Sequence, residues 1–216
     1  FCLSRGLGDV YKRQDTESTS VRTATDAAPN LPVATEIERR AIDWIRPYSQ
    51  AWHLERARDW LVYLDPAAPL EARLAAMTHD IERMFPNGPQ LDKSSGRWDD
   101  PHYLYAHASR SAEVVGFWVY VQGDVPEEFS LSEVQRLITL HEFGGVGGAD
   151  LVQAADSLSF LETLQDIARK WVTNGECDAD QARAKHRYMA ERIRVPEAQP
   201  VAQRLLEQAL AALDDL

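Results

Sequence analysis

The chain has 216 residues and a formal charge of −11, a balance that disfavours gripping a nucleic-acid polymer, where clustered Lys and Arg provide the affinity. No stretch approaches the ~20 apolar residues of a membrane span, and no signal-peptide pattern is present. Only two cysteines occur, Cys2 and Cys177, which excludes a disulfide framework and makes a reducing cytoplasm the expected setting.

Residues 1–14 read differently from the rest. Asp9-Val10-Tyr11-Lys12-Arg13-Gln14 looks like the translation of a transposase mosaic-end adapter, so the stretch is set aside as an assembly scar. Without its Arg5, Lys12 and Arg13 against Asp9, the formal charge becomes −13. Asp15 to Val33 is rich in Thr, Ser, Ala, Asp and Pro without periodicity, and is expected to be mobile. The leader is therefore residues 1–34, and the remaining length suits one core of ordinary size.

Thr35-Glu36-Ile37-Glu38 has the form of a capping box and opens a helix that Pro47 should end. A second helix begins near Ser49 and carries His53, Ala57, Trp60, Leu61 and Leu64 on its inward face, with Pro66 and Pro69 closing it. The third is striped by Leu70, Leu74, Met77, Ile81 and Met84 and contains His79-Asp80. Pro86 to Asp99 is a long polar loop, a lid or a solvated connector. Asp100-Pro101 caps a helix running to about Gln122, with His107, Ser111, Val114, Trp118 and Val121 along one side. Ser130-Leu131-Ser132-Glu133 repeats the capping-box pattern ahead of Val134, Leu137, Ile138 and His141. Five residues, Gly144-Gly145-Val146-Gly147-Gly148, then break the chain. A long helix from Ala149 to Gly175 carries Val152, Asp156 and Phe160 on one face. Two amphipathic packing helices complete the chain, near Asp178–Ile193 and Pro200–Leu213. No alternating strand run or solenoid repeat is present, so the fold class is all-α.

Several helices thus deliver polar, metal-capable groups where periodicity predicts burial: His53, His79-Asp80, His107, His141 and Asp156. Desolvating such groups without partners is costly. A divalent cation shared between helices is a common solution in helical bundles. The glycine run lacks a nucleotide-loop pattern and follows a helix, so it reads as a tight connection between the His141 and Asp156 helices. Lys185-His186-Arg187 is either a phosphate patch or a solvated helix face, and His102 is a surface residue.

The ordered set His53, His79-Asp80, His107, His141, Asp156, with the closing Ala154-Ala155-Asp156-Ser157-Leu158, resembles the HD superfamily of metal-dependent phosphohydrolases over about residues 49–172. The resemblance implies an HD-like helical bundle at 35–176 with extra C-terminal helices, 177–216, packed on the same domain. It implies that His53, His79, Asp80 and Asp156 hold a first metal, and that His107 and His141 contact a second metal or the substrate phosphate. The cofactor would be Mn, Fe, Ni, Co, Zn or Mg, one or two ions per chain. The substrate would be a small phosphate ester, foremost a nucleotide, and a homodimer is left open. The chain departs from the pattern at His141-Glu142, where some two-metal members pair histidines. It departs again at Ile81-Glu82-Arg83, where many relatives place a glycine, and it lacks the Gly-Tyr-Pro signature of the cyclic-dinucleotide branch.

Asp80 could bridge two ions or orient the attacking water, and Glu82 is either a proton relay or a surface partner of Arg83. Arg110, one turn from His107, is a substrate contact or a pair for Glu113. Arg56 stands in the same relation to His53, while Lys93 and Arg97 could reach the substrate from the loop. Competing readings are a pyrophosphohydrolase of an alarmone-like nucleotide and a non-catalytic metal- or nucleotide-binding sensor or scaffold.

Overall fold

The computed structural model describes residues 30–214. These form nine α-helices and no strand: α1 (Glu36–Ile45), α2 (Ala51–Leu64), α3 (Leu70–Thr78), α4 (Pro101–Gln122), α5 (Leu131–Leu140), α6 (Ala149–Thr163), α7 (Gln165–Thr173), α8 (Ala179–Glu191) and α9 (Gln199–Ala211). The expected all-α bundle is what the chain builds. Among the described residues no helix is long and apolar enough to cross a membrane.

At Thr35 both halves of the capping box form, the hydroxyl accepting from the Glu38 N–H and the Glu38 carboxylate accepting from the Thr35 N–H. At Ser130 only half forms. Glu133 turns to Arg136 instead, and the Ser130 N–H is taken by Glu71 on a neighbouring helix. Asp100 caps α4 ahead of Pro101 as expected.

Helices α2 and α6 pack on one another at the centre. α3 and α5 lie alongside, α4 covers α5, and α8 and α9 close over α6. Trp60, Leu61, Leu74, Met77, Leu137, Ile138, Leu158 and Leu161 fill the core between them. Gly144 and Gly148 adopt positive φ, 61° and 71°, which lets the chain reverse between α5 and α6 without a Cβ penalty.

Three expectations about the elements are corrected. The third helix stops at Thr78, and a separate 3-10 turn spans Ile81–Met84. Side chains intercept helical carbonyls there, Thr78 Oγ1 bonding Leu74 O (2.6 Å) and His79 Nδ1 bonding Ala76 O (2.9 Å). The helix expected from Ala149 to Gly175 is two, separated at Leu164, where Thr163 and Gln165 side chains take the carbonyls of Ser159 and Leu161. On α4 His107, Ser111 and Trp118 are buried as expected, but they are joined by Val115 and Val119, while Val114 is half-buried and Val121 exposed. The segment expected to be mobile, 15–33, lies outside the described residues up to 29. Beyond that, Asn30, Leu31 and Pro32 accept hydrogen bonds from Arg56 and Arg58.

Candidate metal centre

The four histidines come from four different places and are each fixed through Nδ1. His79 and His141 sit at the C-caps of α3 and α5, and both bond a carbonyl three residues back, Ala76 O (2.9 Å) and Ile138 O (2.6 Å). A carbonyl only accepts, so Nδ1 carries the proton in both rings. His53, on α2, bonds Ser159 Oγ at 2.8 Å, and that hydroxyl gives its own proton to the His53 carbonyl. His107, on α4, bonds Glu82 Oε1 at 2.9 Å. In every case the second nitrogen, Nε2, is turned to the buried carboxylates, the arrangement found where an outer partner orients a ligand histidine.

Three carboxylates meet them there. Asp156 Oδ1 lies 3.3 Å from His53 Nε2 and 3.2 Å from His79 Nε2. Asp80 Oδ1 lies 2.8 Å from His107 Nε2, 3.8 Å from His79 Nε2 and 4.0 Å from His141 Nε2. Glu142 Oε1 stands 3.6 Å from His141 Nε2 and 3.9 Å from His107 Nε2. Potential ligand atoms group as His53, His79 and Asp80; as His79, His141 and Asp156; and as Asp80, His107 and His141. All six of these side chains are buried.

These residues fit a cation. Bonds of ~2.1 Å place neighbouring ligand atoms about 3.0–3.4 Å from each other in tetrahedral or octahedral geometry, and the Asp156 spacings match. His79 Nε2 and His141 Nε2 are buried without any hydrogen-bond partner, a cost an ion would remove. Mixed imidazole and carboxylate donors suit Zn, Mn, Fe, Ni or Co.

The outer oxygens are held by guanidinium groups. Arg83 Nη1 lies 2.8 Å from Asp80 Oδ2, and Arg192 bridges Asp156 Oδ2 and Glu142 Oε2. Burial would raise the carboxylate pKa values. Arg83, His79 and His107 outweigh it at Asp80, and Arg192 and His79 at Asp156, so both stay ionised well below the usual range. Burial lowers His79, yet Asp156 and Asp80 push its pKa up to about 9. Without an ion, then, His79 carries a proton that metal binding must expel. His107 is also raised, since Asp80 and Glu82 overcome burial and Arg83.

A cavity of about 380 Å³ opens from this cluster, lined at one end by His53, Asp80, Glu142 and Asp156 and further out by Trp98, Phe160 and Lys185.

His53, His79, Asp80, His107, His141, Glu142 and Asp156 are therefore brought together. Glu82 belongs with them: it is buried against His107 and is not a surface partner of Arg83, which pairs with Asp80 instead. The arginines do not follow the expectation. Arg56 is taken up by Glu162 and Asp59, and Arg110 holds the carbonyls of Pro86 and Asn87 beside Glu82. Lys93 lines the cavity but is paired with Glu176 at 2.8 Å, and Arg97 is exposed on the loop. His102 is exposed, as expected.

The C-terminal helices are not mere packing. α8 and the residue that caps it deliver Lys185, Met189 and Arg192 to the site. Their i, i+4, i+7 spacing was a usable signal for a single face.

The chain matches no family model, and no curated protein or solved structure matches it. The helical architecture with its buried His and Asp cluster is compatible with an HD-type fold and could hold a metal ion.

Proposed function

We propose that the protein is a metal-dependent phosphohydrolase that cleaves a phosphate ester of a small molecule, with nucleotides as the leading substrate class. One observation carries this reading: four Nε2 atoms and three carboxylates are gathered in the interior, and two of the nitrogens are buried without a hydrogen bond. His53, His79, Asp80 and Asp156 would hold the ion, and His141 with Glu142 would complete the donor set towards a second ion or the phosphate. When bound, a divalent ion supplies Lewis acidity, polarising a phosphoryl oxygen and lowering the pKa of water from about 15.7 towards ~7.

The remaining chemistry falls to the side chains. Arg83 and Arg192 keep Asp80 and Asp156 ionised and aimed inward. Glu82 fixes the His107 ring through Nδ1. His107 Nε2 lies 2.8 Å from Asp80 Oδ1, a position from which a proton shared between them would pass to a departing alcohol. The test is elemental analysis of the purified protein beside Asp80→Ala, followed by phosphate release from a panel of phosphate esters with added Mn²⁺, Mg²⁺ or Ni²⁺. Near-stoichiometric transition metal in the parent, lost in the variant, is expected together with phosphate release. Equal metal content in the two proteins would remove the site. Metal and phosphate binding without turnover would make the protein a sensor.

A further inference from the structure

Lys185 stands on the wall of the cavity in an unusual setting for an ammonium. Its Nζ lies 5.7 Å from the ring centroid of Trp98, 5.4 Å from Phe160 and 5.0 Å from Tyr188. Among the described residues it forms no hydrogen bond and no ion pair, whereas Lys93 on the same cavity is neutralised by Glu176. Ring faces stabilise a cation in part but offer no acceptor for its three N–H bonds. A group in that position retains its full capacity to bind an anion entering the cavity.

Charge points the same way. Around the cluster, the carboxylates of Asp80, Glu82, Glu142 and Asp156 face the guanidiniums of Arg83, Arg110 and Arg192 and the Lys185 ammonium. With neutral histidines these groups cancel, so a divalent ion leaves two positive charges uncompensated. A phosphate monoester dianion carries that charge with the sign reversed. The sequence supplies the direction: Lys185 and Arg192 are seven residues from each other, about 10 Å of helix rise along one face, with Met189 between them and the cavity alongside. Arg192 is occupied by Asp156 and Glu142, which leaves Lys185 as the cation of this face that is available to a ligand.

The geometry points to Lys185 as the residue that binds the substrate's phosphate, reaching it from α8 on the side of the cavity lined by Trp98 and Phe160. This rests on the hydrolase reading for the identity of the anion, but its test does not need turnover. Burial lowers the amine to about 8, with Glu142 opposing the shift, so it is still mostly protonated at neutral pH.

The experiment is titration of the Mn²⁺-loaded full chain with inorganic phosphate, comparing the parent, Lys185→Met and Lys185→Arg by calorimetry, with metal content and melting temperature read on each. Phosphate affinity is expected to fall ~10-fold or more in Lys185→Met and to return to within about threefold in Lys185→Arg, with metal content unchanged. Removing the ammonium breaks no hydrogen bond or ion pair, and methionine keeps contact with the ring faces, so the melting temperature of Lys185→Met should change little. A purely structural lysine would give the opposite pattern, a lowered melting temperature with phosphate affinity unchanged, and that result would overturn the assignment. Absence of phosphate binding by the parent would overturn it as well. Phosphate binding that depends on Lys185 without ester hydrolysis would uphold Lys185 and sink the hydrolase. Hydrolysis with phosphate affinity indifferent to Lys185 would do the reverse.

Discussion

Helix α2 feeds two buried polar networks, and they differ in one respect. Near its N-terminus His53 joins the histidine cluster, while Arg56 and Arg58 join an ion-pair network with Glu38, Asp59 and Glu162. In the second network each nitrogen of Arg58 has an acceptor: Nε bonds Glu38 (3.2 Å), Nη1 bonds Asp59 and Leu31 O (both 3.0 Å), and Nη2 bonds Pro32 O (2.9 Å). The Trp60 indole and Arg56 share Glu162 in the same way. In the first network His79 Nε2 and His141 Nε2 make no hydrogen bond, although carboxylates of Asp156 and Glu142 stand 3.2 Å and 3.6 Å away. Arg73 Nε also lacks a hydrogen bond in the second network, but it is a cation facing the Glu38 carboxylate at 3.3 Å, whereas the open atoms of the first are metal-capable imidazole nitrogens set among carboxylates, an arrangement that asks for a ligand.

Four experiments break or sharpen this contrast. The largest effect is expected at Arg58→Met, which leaves the Glu38 carboxylate buried, 0 % exposed, with Arg73 at 3.3 Å as its remaining cation. Unfolding in denaturant should show a loss of about 3–5 kcal/mol, with metal content per folded molecule unchanged. Loss of metal in this variant would mean that the two networks are one.

Next comes the ligand itself. Adding Mn²⁺ to chelator-treated protein at ~100 times its dissociation constant should stabilise the fold by about 2.7 kcal/mol. His79→Ala should abolish that shift while Arg58→Met retains it. A metal-dependent rise in melting temperature that survives His79→Ala would place the ion elsewhere.

The third is a pH effect on the metal-free protein. His79 is raised to about 9 in the fold, so its contribution is complete below the unfolded value near ~6.5 and is lost as pH rises through the folded one. Stability should therefore decline by of order 1 kcal/mol between about pH 6.5 and 8. His107, also raised, acts in the same direction. Above pH 8 Lys185, lowered to about 8, works with the opposite sign. In His79→Ala the decline should shrink, and a flat profile in the parent would show that the proton is not held there.

The smallest effect is expected at Gly88→Ala. A Cβ at this position would run into Glu82 Oε2, so the carboxylate must turn and loosen its hold on His107 at a cost of ~1 kcal/mol. The His107 ring resonances should shift by NMR while metal content stays constant. Unchanged His107 resonances would show that Glu82 does not orient the ring.

Much of the site was legible in the chain because helical periodicity converts spacing into a face. His53, His107 and Asp156 each fell on an apolar stripe, and all three are buried. Glu82 was harder to read, since the helix was expected to continue through it. Carbonyls taken by Thr78 and His79 stop the helix and swing Glu82 inward, a competition that periodicity does not register. The arginines were misplaced for a related reason. Sequence proximity put Arg56 and Arg110 beside histidines, but long side chains are captured by whichever carboxylate or carbonyl a neighbouring element presents. Arg83 and Arg192 reach the cluster by the same rule.

What the amino-acid order determined by itself was the set of helices, most of their caps and the faces they bury, because those depend on hydrogen bonds and side-chain spacing within a few residues. Which of the buried polar groups close on one another and which are left open was decided only when α8 came down over α6. That contact pairs Asp156 with Arg192 and leaves Lys185 facing the cavity. Electrostatic partners in a low-dielectric interior are selected by distance in space, and no local pattern in the chain encodes that distance.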